Sequence, residues 1–189
     1  MNQSIFKAYD IRGLYPSEID EKAVYAITRA TVRFLKAKSI TIAMDNRDSS
    51  PALKNSVIDA LMDEGVYIVD AGVATTPMFY FAVNESQSDG GIMITASHNP
   101  PEYNGLKLTS KEARPLGVNS GLVDIKNRAL AGEFKSTVHD GAIKKIGYLD
   151  AYADFLLEGV SMPDVTIAVD GACGPVGMIM NAMRERSKL

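Results

Sequence analysis

Apolar residues recur along the chain in two alternating rhythms. Ala23, Val24, Ile27, Ala30, Thr31, Phe34 and Leu35 follow at three- and four-residue spacing. That is the stripe of an amphipathic helix, with Asp20 as its N-cap. Residues 40–44 form a compact apolar run, broken by Asp45-Asn46-Arg47-Asp48-Ser49-Ser50-Pro51. Pro51 suits the first turn of a helix capped by Ser50, with Leu53, Val57, Ile58, Leu61 and Met62 on its inner face. Gly65 ends that helix and residues 66–69 form the next strand. Gly72-Val73-Ala74-Thr75-Thr76-Pro77 opens a third helix in the same way, cap then proline, carrying Met78, Phe79, Phe81, Ala82 and Val83. Residues 91–96 then read as a buried strand, which Pro100 and Pro101 stop. Helix and strand thus alternate three times in units of roughly 25 residues, which predicts a sheet with helices on both faces. Ligands of such sheets gather at the carboxyl ends of the strands, here residues 45–50, 71–76 and 97–99.

The remaining pattern completes a first domain and begins a second. Residues 4–13 read as a short extended segment turning at Gly13. Residues 105–109 read as a strand returning antiparallel to its predecessor, because so short a connection is hairpin-like. Arg114-Pro115-Leu116-Gly117 is a loop, and Leu122, Ile125, Ala129 and Leu130 mark a helix closing near Gly132. Residues 135–146 look exposed and mixed. Tyr148, Tyr152, Phe155 and Leu156 recur at helical spacing up to Gly159. Val165-Thr166-Ile167-Ala168-Val169-Asp170 is a buried-strand pattern, followed by Gly171-Ala172-Cys173-Gly174-Pro175 and a helix with Met178, Met180 and Met183 on its buried face. The expected architecture is α/β: a three-layer α/β/α sandwich around a mixed, mostly parallel sheet, plus a truncated second α/β unit. The domains are residues 1–146 and a linker helix with an incomplete second domain at 147–189. Unpartnered apolar faces in residues 160–189 are expected to stay mobile or to self-associate weakly.

Composition narrows the function classes. Apolar residues make up 46% and charged residues 23% of the chain, enough for an ordinary core, and the net charge of −3 argues against a broad nucleic-acid surface. Cys173 stands alone, so no internal disulfide forms, and with only His98 and His139 beside it no structural zinc site assembles. Nothing reaches the apolar length of a membrane span and the N-terminus lacks a signal-peptide pattern, so a cytoplasmic protein is expected. Ser187-Lys188-Leu189 spells a peroxisomal address, a three-residue match too short to outweigh that expectation.

The densest chemistry lies in Thr95-Ala96-Ser97-His98-Asn99-Pro100 and Asn104-Gly105-Leu106-Lys107. A serine at the end of a rigid strand suits a reactive side chain, and Ser, Asn and Pro are equally the residues of an ordinary turn. Lys7 and Arg12 either face an anion or keep the surface soluble. A Ser-His hydrolase lacks its Gly-x-Ser-x-Gly elbow, and His98 is poorly placed as base for an adjacent serine.

These two segments resemble the phosphoserine loop of the α-D-phosphohexomutases. Lys7-Ala8-Tyr9-Asp10-Ile11-Arg12-Gly13 matches the same family's N-terminal signature. Asp45-x-Arg47-x-Ser49-Ser50-Pro51 and Gly72-x-x-x-Thr76-Pro77 match two further segments in the right order. The details look most like the bacterial phosphomannomutase/phosphoglucomutase branch. The resemblance implies transfer of a phosphoryl group between the 1- and 6-positions of a hexose phosphate, through a hexose 1,6-bisphosphate. It implies Ser97 as phosphoryl carrier, Lys107 as charge stabiliser or proton carrier, and His98 and Arg12 as orienters of the phosphate. Tyr9, Lys7 and Asn99 are implied in substrate or phosphate binding, and Mg2+ on the Ser97 phosphate. The family's magnesium loop and two further substrate loops are not found in this sequence, so the chain is expected not to turn over alone. A non-catalytic phosphosugar-binding or assembly module of the same fold is the alternative.

Overall fold

The computed structural model describes residues 1–134, 141–161 and 165–187. His139, Lys188 and Leu189 lie outside them. A 3-10 turn at Gln3–Ile5 leads to β1 (Ile11–Leu14), α1 (Glu21–Leu35), β2 (Ser39–Met44), α2 (Ser50–Asp63), β3 (Tyr67–Val73) and α3 (Thr76–Glu85). There follow β4 (Gly90–Ile94), β5 (Tyr103–Ser110), α4 (Leu122–Ala131), β6 (Ala142–Lys145), α5 (Leu149–Leu157) and α6 (Val176–Ser187). Among the described residues these strands form one sheet in the order β1-β5-β4-β2-β3-β6. β2 pairs in parallel with β3 and β4, and β3 with β6. β5 runs antiparallel between β4 and β1, as the short return predicts.

Successive strand residues point to opposite faces, and the two cores show it. Ile42, Ile68 and Ile92 enter one core with Val24 and Ile27 of α1, Leu53 and Leu61 of α2, and Ile125 of α4. Their neighbours Ala43, Val69 and Met93 enter the other, with Phe79 and Val83 of α3, Tyr152 of α5 and Ile179 of α6. The α/β expectation is borne out, with a mixed sheet between two helical layers.

Local chemistry sets the element ends. The Asp20 side chain accepts from Ala23 N at 2.8 Å and starts α1. Two expected caps move by one residue. Ser49 takes the N-cap position of α2 because Ser50 turns its hydroxyl to Asp45 Oδ1 at 2.6 Å. Thr75, accepting from Met78 N, caps α3.

Two expectations are corrected. Residues 142–145, read as exposed and mixed with no strand assigned, are exposed throughout but form edge strand β6. Residues 165–170, read as a buried strand, are irregular, with Val165, Ile167 and Val169 all more than half exposed. Among the described residues no strand pairs with them, and an apolar run becomes a strand only where another strand supplies its hydrogen bonds. The helix after them is as expected but buries Ile179 and Ala182, with the methionines only partly covered. It packs on α5, where Arg186 reaches Asp150 and Asp154. No helix among the described residues is long and apolar enough to cross a membrane.

Candidate active site

β4 delivers its chain to the carboxyl edge of the sheet, and Thr95 and Ala96 remain buried before Ser97 emerges exposed. Ser97 has φ 57°, in the left-handed region. For a residue with a Cβ this conformation costs about 1–2 kcal/mol, and it persists only where neighbours over-determine it. Here Ser97 N–H donates to Thr95 Oγ1 at 2.8 Å, and Asn99 N–H to Ala96 O at 3.1 Å. The side chain is thereby turned out of the strand line. Its Oγ lies 3.4 Å from His98 Nδ1. Among the described residues no carboxylate hydrogen-bonds to His98, so the orienting acid of a hydrolase triad is not supplied there.

Ser97, His98 and Asn99 line a cleft of about 770 Å³ together with residues 45–48 after β2, Thr75 and Thr76 at the head of α3, and residues 171–175. The last segment leads into α6; Asn46 Nδ2 donates to Cys173 O at 2.7 Å and ties it to the sheet edge. A second cleft of about 630 Å³ carries the other expected residues: Lys7, Tyr9, Arg12 and Lys107. Asn99 lines both. Its side-chain Oδ1 accepts from Arg12 Nη1 at 2.9 Å, so it joins the serine side to the cation side.

The cation side is built on Asp10, to which the motif reading gave no role. Asp10 is buried, and its Oδ2 accepts from Arg12 Nε at 2.9 Å, Arg12 Nη2 at 2.6 Å and Lys107 Nζ at 3.1 Å. Arg12 rides on β1 opposite Gly105, and Lys107 on β5 opposite Met93. The β1–β5–β4 pairing therefore places both cations. Lys7 is exposed and donates to Ser4 O at 2.7 Å, and Tyr9 is 79% exposed at the rim. Burial first, and the Asp10 charge second, push the Tyr80 phenol above its ordinary value, so it stays neutral at physiological pH.

Arg47 and Asp45 were the other residues matched in a motif without a role. Arg47 lies against the Ser97 loop, anchored to buried Asp45 at 3.1 Å. Asp45 is held in turn by Ser50, and Asn104 Nδ2 reaches Ser49 Oγ at 2.7 Å and Ser50 Oγ at 3.1 Å. The sequence offered motif membership as the only signal for them.

A divalent cation needs several oxygen ligands. Among the described residues no three His, Cys, Asp or Glu side chains converge to hold a metal ion. The donor set of the described residues therefore does not fit a complete divalent-cation site.

Known proteins resemble this arrangement and the sequence around it. A family model described as "Phosphoglucomutase/phosphomannomutase, alpha/beta/alpha domain I" matches residues 3–135. A phosphomannomutase of Salmonella montevideo is 40% identical over 193 residues, covering 99% of this chain and 42% of its own. One of Salmonella typhimurium is 38% identical over 188 residues, covering 97% of this chain and 41% of its own. The chain thus spans less than half the length of these curated relatives. A crystal structure of a phosphoglucomutase/phosphomannomutase family protein from Burkholderia thailandensis superimposes with a TM-score of 0.81 at 30% identity, covering 97% of this chain and 43% of that one.

Proposed function

The chain belongs to the phosphoglucomutase/phosphomannomutase family, and we propose that it is the phosphoserine-bearing part of a phosphohexomutase. In this reading Ser97 carries a phosphoryl group, and the parent enzyme interconverts hexose 6-phosphate and hexose 1-phosphate through a hexose 1,6-bisphosphate. The observation that carries it is an exposed serine in a left-handed turn, in a cleft that shares Asn99 with a second cleft holding two cations with donors to spare.

The transfer follows from those positions. A sugar hydroxyl attacks phosphorus, the Oγ–P bond of Ser97 breaks, and the hydroxyl proton ends on Oγ. Lys107 stabilises charge or moves that proton, while Arg12 and His98, whose Nδ1 lies 3.4 Å from Oγ, orient the phosphate. The second half runs the steps backward from the other phosphate of the bisphosphate, and Ser97 is phosphorylated again. Such transfer is catalysed chiefly by positioning and charge neutralisation. Arg12 spends three of its five N–H donors on Asp10 and Asn99, and Lys107 one of its three on Asp10, among the described residues. Two donors on each remain for phosphate oxygens. Tyr9 and Lys7 border the same cleft, where the sugar phosphate would lie. Mg2+ would add neutralising charge at the Ser97 phosphate. Among the described residues no cluster supplies its other ligands, and the chain is proposed not to turn over by itself.

The test has two arms. Peptide mass mapping of the purified protein should find phosphate on Ser97. Supplying the remaining length of a relative, with hexose bisphosphate and Mg2+, should give mutase activity with the wild-type chain and none with Ser97→Ala. Equal activity of both chains would remove Ser97 as the carrier.

A further inference from the structure

We infer that Arg47 is the positioning residue of the Ser97 loop, a guanidinium template with four donors committed to backbone carbonyls, the fifth to Asp45 and none to substrate. The inference deepens the carrier role proposed for Ser97 and rests on it for its catalytic meaning. The geometry stands independently.

A guanidinium has five N–H donors in a rigid planar fork. For Arg47 every one has an acceptor. Nε donates to Asp45 Oδ2 at 3.1 Å. Nη1 donates to Pro100 O at 2.6 Å and Tyr103 O at 3.0 Å. Nη2 donates to Ser97 O at 2.9 Å and Asn99 O at 2.7 Å. Four carbonyls spread over seven residues of the loop therefore converge on one planar cation. Three of those carbonyls, of Ser97, Asn99 and Pro100, belong to the turn between β4 and β5, and Arg47 gathers them with Tyr103 O at the head of β5. The bond to Ser97 O fixes the peptide plane that follows Ser97. With the Thr95 contact to its N–H, both sides of the left-handed residue are held.

Arg12, in the neighbouring cleft, is built for the opposite task. It has three N–H groups engaged among the described residues and two free. Two arginines flank the loop, one saturated and one unsaturated, and only the unsaturated one is available to an anion. Arg47 in turn depends on its support. Asp45 orients Nε, and Ser50 orients Asp45 from the head of α2. The loop conformation is thus set from an element some 50 residues away in sequence.

The test is by NMR on the full chain. In the wild type the Arg47 guanidinium should give five separate, slowly exchanging N–H signals, because rotation about its C–N bonds is blocked. Averaged Nη signals would overturn the inference without any variant. Titration with inorganic phosphate should leave the Arg47 Nε signal in place. A shift there would show that its donors are not committed. A shift or its absence at Arg12 bears on the proposed function instead, so the two readings fail separately. Arg47→Gln should move the Ser97 three-bond HN–Hα coupling off its left-handed value. It should also speed amide exchange at Asn99 and Tyr103 by about tenfold or more, with Ile42 and Ile92 in β2 and β4 changing less than about twofold. Arg47→Lys keeps the charge without the fork and should behave like Arg47→Gln. Exchange that accelerates equally in loop and strands, or a coupling unchanged in both variants, would reduce Arg47 to an ordinary stabilising contact.

Discussion

One oxygen of Asp10 accepts hydrogen bonds from two nitrogens of Arg12 and from Lys107. Bonds to a charged acceptor are worth about 1.5–3 kcal/mol each when broken, and they do not add simply. Asp10→Asn keeps the shape and removes the charge, leaving two cations side by side without the carboxylate that paired with both. Its unfolding free energy should fall by about 2 kcal/mol in urea melts. The affinity of the cleft for inorganic phosphate should weaken too, as Arg12 and Lys107 lose their common anchor. A variant as stable as the wild type would mean that something other than Asp10 aligns the cations. At this scale the sequence was readable for residues whose role follows from type and place. Ser97 at a strand end, and Arg12 and Lys107 as basic residues in matched motifs, all come to the two clefts. It was silent on Asp10, Asp45 and Arg47, although each stood in a matched segment. Their partners are a single carboxylate oxygen and the carbonyls of a distant loop, and such contacts leave no periodicity to read.

At the level of elements, β1 is positioned by a residue that has no side chain. A Cβ on Gly105 would stand 1.9 Å from Ile11 O, a backbone atom that cannot swing aside. Gly105→Ala therefore forces β1 off β5, and Arg12, paired with that position, moves with it. Stability should drop by about 2–3 kcal/mol, and the Arg12 guanidinium signals should shift with it. Unchanged stability and signals would show the pairing to be looser than this contact implies. β2 is fixed at its other end by Asp89, whose Oδ2 accepts from Lys38 N at 2.8 Å and Ser39 N at 3.0 Å. The Lys38 bond, against the contrary effect of burial and with help from Ser39 and Lys111, holds the carboxyl below its usual range. A depressed value means that the contribution is present above the unfolded carboxyl value near 3.9 and is lost as pH falls through the lower folded one. Asp89→Asn should be less stable than the wild type by about 1–2 kcal/mol at pH 7, and the gap should close in strongly acid solution. A gap independent of pH would remove the charge from the account. The strands and helices whose apolar positions repeat were legible, including the antiparallel return of β5. β6 was not, because Ala142-Ile143-Lys144-Lys145 is short, exposed throughout and lysine-bearing, as protected sheet edges are. Its sequence therefore resembles a loop.

Across the whole molecule, the chain after α5 divides into a part that found a partner and a part that did not. α6 covers Ile179 and Ala182 against the layer formed by α3 and α5, and residues 171–175 close one wall of the serine cleft. Residues 165–170 immediately precede these anchored pieces. They display Val165, Ile167 and Val169 at 58%, 63% and 53% exposure. The sequence reading erred here for a physical reason: a continuous apolar run specifies a strand buried on both faces, but the run cannot supply the neighbours that bury it. Val165, Ile167 and Val169 alternate along the segment, and among the described residues no strand pairs with it, which leaves an apolar stretch of the kind that strands use to join. Anchoring on the 171–175 side lowers the entropy lost when a second copy pairs with it. We therefore expect concentration-dependent, weak self-association in sedimentation experiments. Ile167→Lys with Val169→Lys should abolish it, because two charges on that edge repel across a pair of copies. Both substitutions lie outside the two cores, so thermal stability should stay within about 0.5 kcal/mol of the wild type. A wild-type chain that sediments as a monomer at every concentration would assign these residues to solvent. Association that survives the two lysines would place the contact elsewhere, with exposed Phe155 on α5, stacked against Phe81 and Tyr152, as the next surface to change.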